Sequence, residues 1–160
     1  MTFQKIPNPW LSGINFKERG IDAQDIEIGS EANGYIKGMQ NGRIFYYDAA
    51  KNWWSRAGIP ETMPGGEPGG PDSEIFYDFG TEHNNEYGEH CHTNCDCGRF
   101  LEIGNSVFME YLKETAEKFV PLKQKNVDFG GGLERITMAV NNVPDVIAVN
   151  HKPIIEHIEK

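Results

Sequence analysis

The sequence predicts an α+β fold with a mostly antiparallel sheet flanked by helices. Several short segments rich in β-branched and aromatic residues come before the most clearly marked helix of the chain. They are not separated by helices at regular intervals, as parallel β-α-β units would require. At 160 residues, of which 38% are hydrophobic, the chain is long enough to bury one core. We therefore expect residues 1–160 to be one domain or part of one.

The first half of the chain predicts strands separated by loops. Residues 1–20 are polar, contain Gly and Pro, and show no clear period. Residues 25–28 alternate between apolar and polar side chains, and residues 43–47 are rich in β-formers, so both segments predict strands. Residues 58–71 are dense in Gly and Pro and predict a loop, and residues 74–77 predict the next strand.

The second half predicts further strands and the helices. In chain order we expect a loop over residues 81–97, a strand over residues 99–111, a helix over residues 114–119, a strand over residues 125–129, a helix over residues 133–142 and a last helix beginning at residue 153. The last of these helices runs to the end of the sequence, which indicates a piece of a longer protein.

The charge and hydropathy of the chain exclude several classes of function. The net charge of −9 argues against a sequence-independent nucleic-acid binder, which neutralises phosphates with Lys and Arg. The only basic cluster is Lys113, Lys118, Lys123 and Lys125, which we interpret as a solvated surface. No apolar run is long enough to span a membrane and no signal peptide opens the chain, so we expect no membrane partner and a cytoplasmic location.

A strand, three glycines and a helix make the most informative segment. Asp128 lies at the end of the predicted strand, Gly130, Gly131 and Gly132 predict a turn, and Arg135 lies in the first helical turn. A carboxylate suits a cationic amine, glycines let a ligand approach the backbone, and a helix N-terminus with an arginine suits phosphate. The alternative is an ordinary strand-turn-helix without a ligand.

Four sequence blocks, in this order, resemble the second half of the catalytic domain of the alanyl-tRNA synthetases. They are RIFYYDAAKNWWSRAG (residues 43–58), GEPGGPDSEIFYDFG (66–80), FLEIGNSVFMEY (100–111) and KNVDFGGGLERIT (125–137). The last block resembles motif 3 of the class II aminoacyl-tRNA synthetases. The resemblance implies a class II synthetase fold and an alanine–tRNA ligase that uses alanine, ATP, Mg²⁺ and tRNA(Ala).

The resemblance also implies an alanine pocket. The residue matching Asp128 holds the amino group of alanine in that family, and Trp54, Asn105, Val107 and Gly130 match positions around the amino acid. Since Asn105 and Val107 alternate along one predicted strand, we expect them to share a face. The neighbouring Trp53 is expected to pack in the core.

On the ATP side, the residues matching Gly132 and Arg135 bind the nucleotide in class II synthetases, and the arginine is the catalytic residue that stabilises charge as pyrophosphate leaves. The chain departs from the family at two positions. Gly104 and Gly131 both stand where the family commonly has a larger residue.

A Cys/His segment is a candidate metal site that the resemblance does not supply. Cys91, Cys95 and Cys97, with His92 or His90 as the fourth ligand, could bind Zn²⁺ in a tetrahedron. A metal-free loop is the alternative, and a disulfide is disfavoured in a reducing compartment.

Motifs 1 and 2 of the class II pattern and the editing region are not recognisable in the sequence. Neither Arg19 nor Arg43 has the context of the motif 2 arginine that grips the α-phosphate. We therefore expect a fragment of a longer enzyme or one part of a split enzyme that a separate chain with motifs 1 and 2 completes. A non-catalytic synthetase-like module that binds an amino acid or a partner protein is the alternative. A zinc-stabilised scaffold with relic motifs is a third.

Overall fold

The structure is a computed structural model that describes residues 25–158 and, before them, residues 18 and 20. Most of residues 1–20, together with Arg19, lies outside the described residues. The described part contains a two-stranded sheet and a four-stranded sheet. The larger sheet is antiparallel throughout, which confirms the predicted α+β class.

The two-stranded sheet contains a helix that the sequence did not predict. Strand β1 (Asp25–Gly29) pairs in parallel with β2 (Ile44–Tyr47), and helix α1 (Glu31–Lys37) connects them. The Ser30 side chain caps α1 by accepting a hydrogen bond from the Asn33 backbone N–H. This single β-α-β unit was not predicted, but it does not make the strands alternate with helices at regular intervals.

The four-stranded sheet has the order β3-β4-β5-β6. Its strands are β3 (Trp53–Ser55), β4 (Pro68–Asp78), β5 (Phe100–Thr115) and β6 (Lys118–Gly131). The loop predicted over residues 58–71 is too long, because β4 already begins at Pro68. The strands predicted over residues 99–111 and 125–129 correspond to β5, which begins one residue later, and β6, and both are longer than the sequence indicated.

The helix predicted over residues 114–119 is wrong. Strand β5 continues to Thr115, a tight turn follows, and β6 begins at Lys118. Glu114, Ala116, Glu117 and Lys118 are good helix formers, but cross-strand pairing of the two long flanking strands overrides that weak local preference.

Three helices follow the sheet. They are α2 (Leu133–Asn141), α3 (Val146–Asn150) and α4 (Lys152–Ile158). The first confirms the helix predicted over residues 133–142 to within one residue, and α4 corresponds to the helix predicted from residue 153. In the described part of the chain, no helix has the length and apolar character needed to cross a bilayer.

The core beside the larger sheet is aromatic and contains one lysine. Trp53 is 8% exposed, stacks on Tyr111 and meets Phe119 edge-on, which agrees with its expected place in the core. Lys113 is buried, so its interpretation as part of a solvated surface is wrong, and its ammonium donates to the carbonyl of Pro60 at 2.6 Å. This contact ties β5 to the loop between β3 and β4.

Candidate functional site

The register of the sheet brings polar residues from three strands into two adjacent rows. In one row Val107 on β5 lies between Asp72 on β4 and Asp128 on β6. In the next row Asn105 lies between Glu74 and Gly130. Because alternate residues of a strand share a face, all six residues lie on the same side of the sheet.

A cavity of about 540 Å³ lies over these rows. Its volume falls within the range of roughly 300–1,000 Å³ typical of small-molecule sites. All five residues predicted to surround an amino acid line it, namely Trp54, Asn105, Val107, Asp128 and Gly130. Trp54 is 43% exposed, so it lies at the rim, whereas Val107 is buried at the floor.

The cavity also contains charged residues that sequence reasoning missed. Asp72, Glu74 and Glu102 line it together with Asp128, and Lys51 is the lysine in its wall. The excess of carboxylates makes the cavity suited to cations. Asp72 and Glu74 alternate on β4 beside Gly-Gly-Pro, and this alternation was the signal that could have placed them on one face.

Asn105 organises the carboxylates around it. Its Nδ2 donates to Asp72 Oδ2 at 2.9 Å and to Glu74 Oε1 at 3.4 Å. Asn105 Oδ1 and Asp72 Oδ1 are both buried, and neither finds a hydrogen-bond donor among the described residues. A buried acceptor without a donor lowers the stability of the fold, because it has lost its hydrogen bonds to water. A ligand with N–H groups would supply the missing donors.

The crowding of acids perturbs their titration. Burial, followed by the charges of Asp72 and Glu102, raises the pKa of Glu74 from 4.5 to about 7. Burial also raises the pKa of Asp72, more than the hydrogen bond from Asn105 lowers it. Part of this acidic cluster is therefore protonated near neutral pH when nothing cationic is bound.

Arg135 lies in the first turn of α2, as predicted, and reaches the edge of the cavity through Glu102. Its Nη1 donates to Glu102 Oε2 at 2.9 Å and to the Glu102 backbone carbonyl at 3.2 Å. The guanidinium remains half-exposed. Neither Arg135 nor Gly132 lines the cavity itself. Arg135 therefore borders the predicted alanine pocket through its contact with Glu102.

A β-bulge decides that Glu102 faces the cavity. In the pairing of β4 with β5, Ile75 lies opposite Gly104 and Phe76 opposite Glu102, so Ile103 is the extra residue. Strict alternation from Asn105 would place Glu102 on the other face of the sheet. The bulge is not visible in the sequence, which explains why Glu102 was missed.

The three glycines before α2 do not form the turn that the sequence predicted. Gly130 and Gly131 belong to β6, and Gly132 is the N-cap of α2 with φ of −81°. None of the three has a positive φ. Gly130 leaves space in the cavity, since a Cβ on it would meet nothing within 4 Å and would project from the cavity-facing row.

Gly104 and Gly131, the two positions where the family commonly has a larger residue, are cross-strand partners. The ring of Phe129 lies beside both of them. A Cβ at Gly104 would lie 3.1 Å from Phe129 Cζ, and one at Gly131 would lie 3.3 Å from Phe129 Cε1. The aromatic ring thus fills the space that two larger side chains would occupy on the face opposite the cavity.

The Cys/His cluster forms in the loop between β4 and β5, with one ligand different from the prediction. Candidate ligand atoms of His83, Cys91, Cys95 and Cys97 all lie within 4.8 Å of one another. His92, which the sequence favoured as the fourth ligand, is wrong in this place, and so is His90, whose imidazole lies beside Glu89 instead. A short 3₁₀ turn over Asn85–Tyr87 brings the chain back from His83 to the cysteines.

His92 packs in the interior instead. It is 0% exposed, and its Nδ1 shares a hydrogen bond of 2.7 Å with the hydroxyl of Tyr47. The ring of Tyr35 on α1 meets it edge-on at 4.5 Å. Gly34 in the middle of α1 makes this possible, since a Cβ there would lie 2.6 Å from the imidazole. Burial lowers the pKa of His92, so the imidazole is neutral at physiological pH.

Comparison with known proteins gives the family of this chain. The profile of the class II (A) tRNA synthetases matches residues 19–160. The alanine–tRNA ligase of Petrotoga mobilis is 34% identical over 167 residues, covering 99% of this chain and 18% of that protein. Those of Elusimicrobium minutum and Treponema denticola are each 41% identical, over 81% and 68% of this chain, covering 14% and 17% of their own lengths.

The chain therefore spans less than a fifth of the length of each of these relatives. The family profile covers most of the chain and includes every residue of the cavity. The chain belongs to the class II (A) tRNA synthetases.

Proposed function

We propose that this chain provides the alanine pocket and motif 3 of an alanine–tRNA ligase. The observation that carries the proposal is the convergence of Trp54, Asn105, Val107, Asp128 and Gly130 on one cavity bordered by Arg135. Residues 1–160 are then part of an aminoacylation domain, while motifs 1 and 2 and the editing region come from another part of the enzyme or from a separate chain.

The acidic end of the cavity suits the ammonium group of alanine. The Asp128 carboxylate forms a charge-assisted hydrogen bond with it, and Asn105 Oδ1 and Asp72 Oδ1 are the buried acceptors that lack a donor. Val107 at the floor contacts the methyl group. Such a pocket excludes large side chains but separates alanine from glycine or serine by only about 1–3 kcal/mol.

The edge near α2 suits the triphosphate of ATP. Arg135 offers a planar guanidinium that matches phosphate oxygens, and Gly132 lets the chain begin the helix without a side chain in the way. Arg135 exchanges its contact with Glu102 for a phosphate as ATP binds, and stabilises the charge that develops as pyrophosphate leaves.

Carboxylate oxygens are ligands that Mg²⁺ accepts, and the acidic wall fits this ion. Glu74 and Glu102 would hold it, because both line the cavity and Glu102 contacts Arg135. A bound Mg²⁺ would supply charge neutralisation for the phosphates, which a wall of carboxylates otherwise repels.

The substrates of the proposed enzyme are alanine, ATP and tRNA(Ala), and its compartment is the cytoplasm.

The test is alanine-dependent ATP–pyrophosphate exchange, with and without an added polypeptide that carries motifs 1 and 2. We expect no exchange from the chain alone and exchange from the mixture. Asp128→Asn should then raise the KM for alanine by roughly 10–100-fold, since a hydrogen bond to a charged group contributes about 1.5–3 kcal/mol. Glu117→Gln, in the exposed β5–β6 turn, is the matched control.

Three results would count against the proposal. Exchange by the chain alone would show that motif 2 is not needed. An unchanged KM for alanine in Asp128→Asn would show that Asp128 does not bind the ammonium group of alanine. Alanine binding without exchange in the mixture would favour the non-catalytic binding module.

The ATP side has its own test in the same mixture. Arg135→Lys should slow single-turnover adenylate formation, because lysine cannot reproduce the fork of the guanidinium, while the circular dichroism spectrum stays unchanged. An unchanged rate would mean that Arg135 only holds Glu102 in place.

A further inference from the structure

The loop between β4 and β5 brings three sulfur atoms and one imidazole nitrogen together at distances suited to a metal ion. Cys91 Sγ lies 3.6 Å from Cys97 Sγ, and Cys95 Sγ lies 3.8 Å from His83 Nδ1. In a tetrahedron with Zn–S of about 2.3 Å and Zn–N of about 2.0–2.1 Å, ligand atoms are roughly 3.5–3.8 Å apart. We infer that His83, Cys91, Cys95 and Cys97 form a structural Zn²⁺ site.

The orientation of His83 supports its role as the fourth ligand. Its Nε2 lies 3.0 Å from the carbonyl oxygen of Gly88, to which it donates its proton. That bond leaves the Nδ1 lone pair facing the cysteines. Metal-binding histidines commonly donate their second ring N–H to a backbone carbonyl in this way, which fixes the tautomer and the direction of the ring.

The backbone turns tightly directly after the last cysteine of the cluster. Gly98 follows Cys97 and has φ of +83°, a conformation that other residues rarely adopt. This turn lets the chain enter β5 at Phe100 while Cys97 stays beside Cys91 and His83.

A disulfide is the competing arrangement, and the geometry does not favour it. The 3.6 Å between Cys91 Sγ and Cys97 Sγ is far longer than the roughly 2.05 Å of a disulfide bond. All three cysteines are free. A Cys91–Cys97 disulfide would also not explain why Cys95 and His83 lie beside these two residues.

The site is structural because the protein supplies all four ligands and leaves no open position for a substrate. Its effect reaches the cavity through the chain between two ligands. Cys91 and Cys95 enclose His92, which packs against Tyr47, and Asn94, which lines the cavity. The ion thus holds the loop against the small sheet and keeps Asn94 in the cavity wall.

The first test uses the 160-residue chain purified without chelators. We expect one equivalent of zinc by mass spectrometry of the metals, and X-ray absorption with about three sulfur ligands at 2.3 Å and one nitrogen ligand near 2.0–2.1 Å. A zinc content far below one equivalent, a shell of oxygen ligands, or a mass two daltons lower from a Cys91–Cys97 disulfide would overturn the inference.

The second test separates His83 from the neighbouring histidine. His83→Ala should weaken zinc affinity, measured by competition with a chromophoric chelator. The loss should exceed the roughly 10–100-fold that follows when a residue that only hydrogen-bonds to a metal ligand is removed. His90→Ala, at an exposed side chain outside the cluster, is the matched control and should keep full affinity. The reverse result would assign the ligand to His90. If His83→Ala does not fold, His83→Cys takes its place, and the X-ray absorption fit should change from three sulfur ligands to four; an unchanged ligand count would contradict the role of His83. Since the readout is metal content, the result is independent of the proposed alanine activity.

Discussion

Glu74 stores electrostatic strain in the acidic cavity, and Glu74→Gln should release it. The carboxylate is partly buried and faces Asp72 and Glu102, which raises its pKa to about 7. Glutamine keeps the shape and can still accept a hydrogen bond from Asn105, but it never carries the charge. Wild type and variant should therefore differ in how their stability depends on pH.

The sign and size follow from the folded and unfolded pKa values. Between pH 4.5 and about 7 the folded state holds a proton on Glu74 that the unfolded chain has lost. The stabilising contribution is complete below pH 4.5 and is lost as the pH rises through about 7. The difference between the folded and unfolded pKa values of Glu74 corresponds to roughly 3 kcal/mol in the free energy of unfolding, at 1.36 kcal/mol per pKa unit. Since solvent screens a partly exposed group, we expect about 1–2 kcal/mol.

The assay is urea unfolding of both proteins at pH 5 and pH 8, at fixed ionic strength. Glu74→Gln should be more stable than wild type at pH 8 by about 1–2 kcal/mol and should lose less stability between the two pH values. Glu117→Gln, remote from the cavity, is the control and should follow wild type. If Glu74→Gln and wild type lose equal stability between pH 5 and pH 8, the cavity does not hold Glu74 under strain, and the reasoning fails.

Three further substitutions test the packing of the sheet. Gly70→Ala places a Cβ 1.8 Å from the backbone oxygen of Phe108, so the strands must separate, and we expect a loss of about 2–4 kcal/mol in urea unfolding. Lys113→Met removes the donor to the Pro60 carbonyl and should cost about 1–3 kcal/mol in the same measurement; an unchanged midpoint would contradict this. Gly130→Ala should leave unfolding unchanged, since its Cβ meets nothing within 4 Å, but should raise the KM for alanine in the complemented enzyme.

The sequence predicted best where one strand contains the whole pattern. Asn105 and Val107 share a face because alternation is a property of a single segment, and α2 was predicted because its apolar residues recur within nine positions. Asp128 and Trp54 joined them through the family resemblance, not through local pattern. Asp72 and Glu74 of β4 were missed because alternation along one strand does not indicate which of its two faces is turned toward a cavity.

The errors share a physical cause, which is that distant pairing decided the outcome. The bulge at Ile103 exists only relative to β4, and it turns Glu102 toward the cavity. The hairpin after Thr115 depends on the pairing of two long strands. His83 was overlooked because His92 is closer in sequence to the cysteines, whereas the loop places the more distant histidine beside them. Helix α1 was missed because it contains Gly34, which serves the close approach of the His92 ring.

The ring of Phe129 over the Gly104–Gly131 pair has a consequence for how this sequence can vary. Side chains at positions 104, 129 and 131 compete for the same space on one face of two neighbouring strands. The residue size allowed at each position therefore depends on the other two. Gly104→Trp alone would collide with the ring, but the same change made together with Phe129→Ala would have space. A double-mutant cycle should then show strong favourable coupling between these positions. In descendants of this sequence, changes at position 104 should therefore be coupled to changes at position 129.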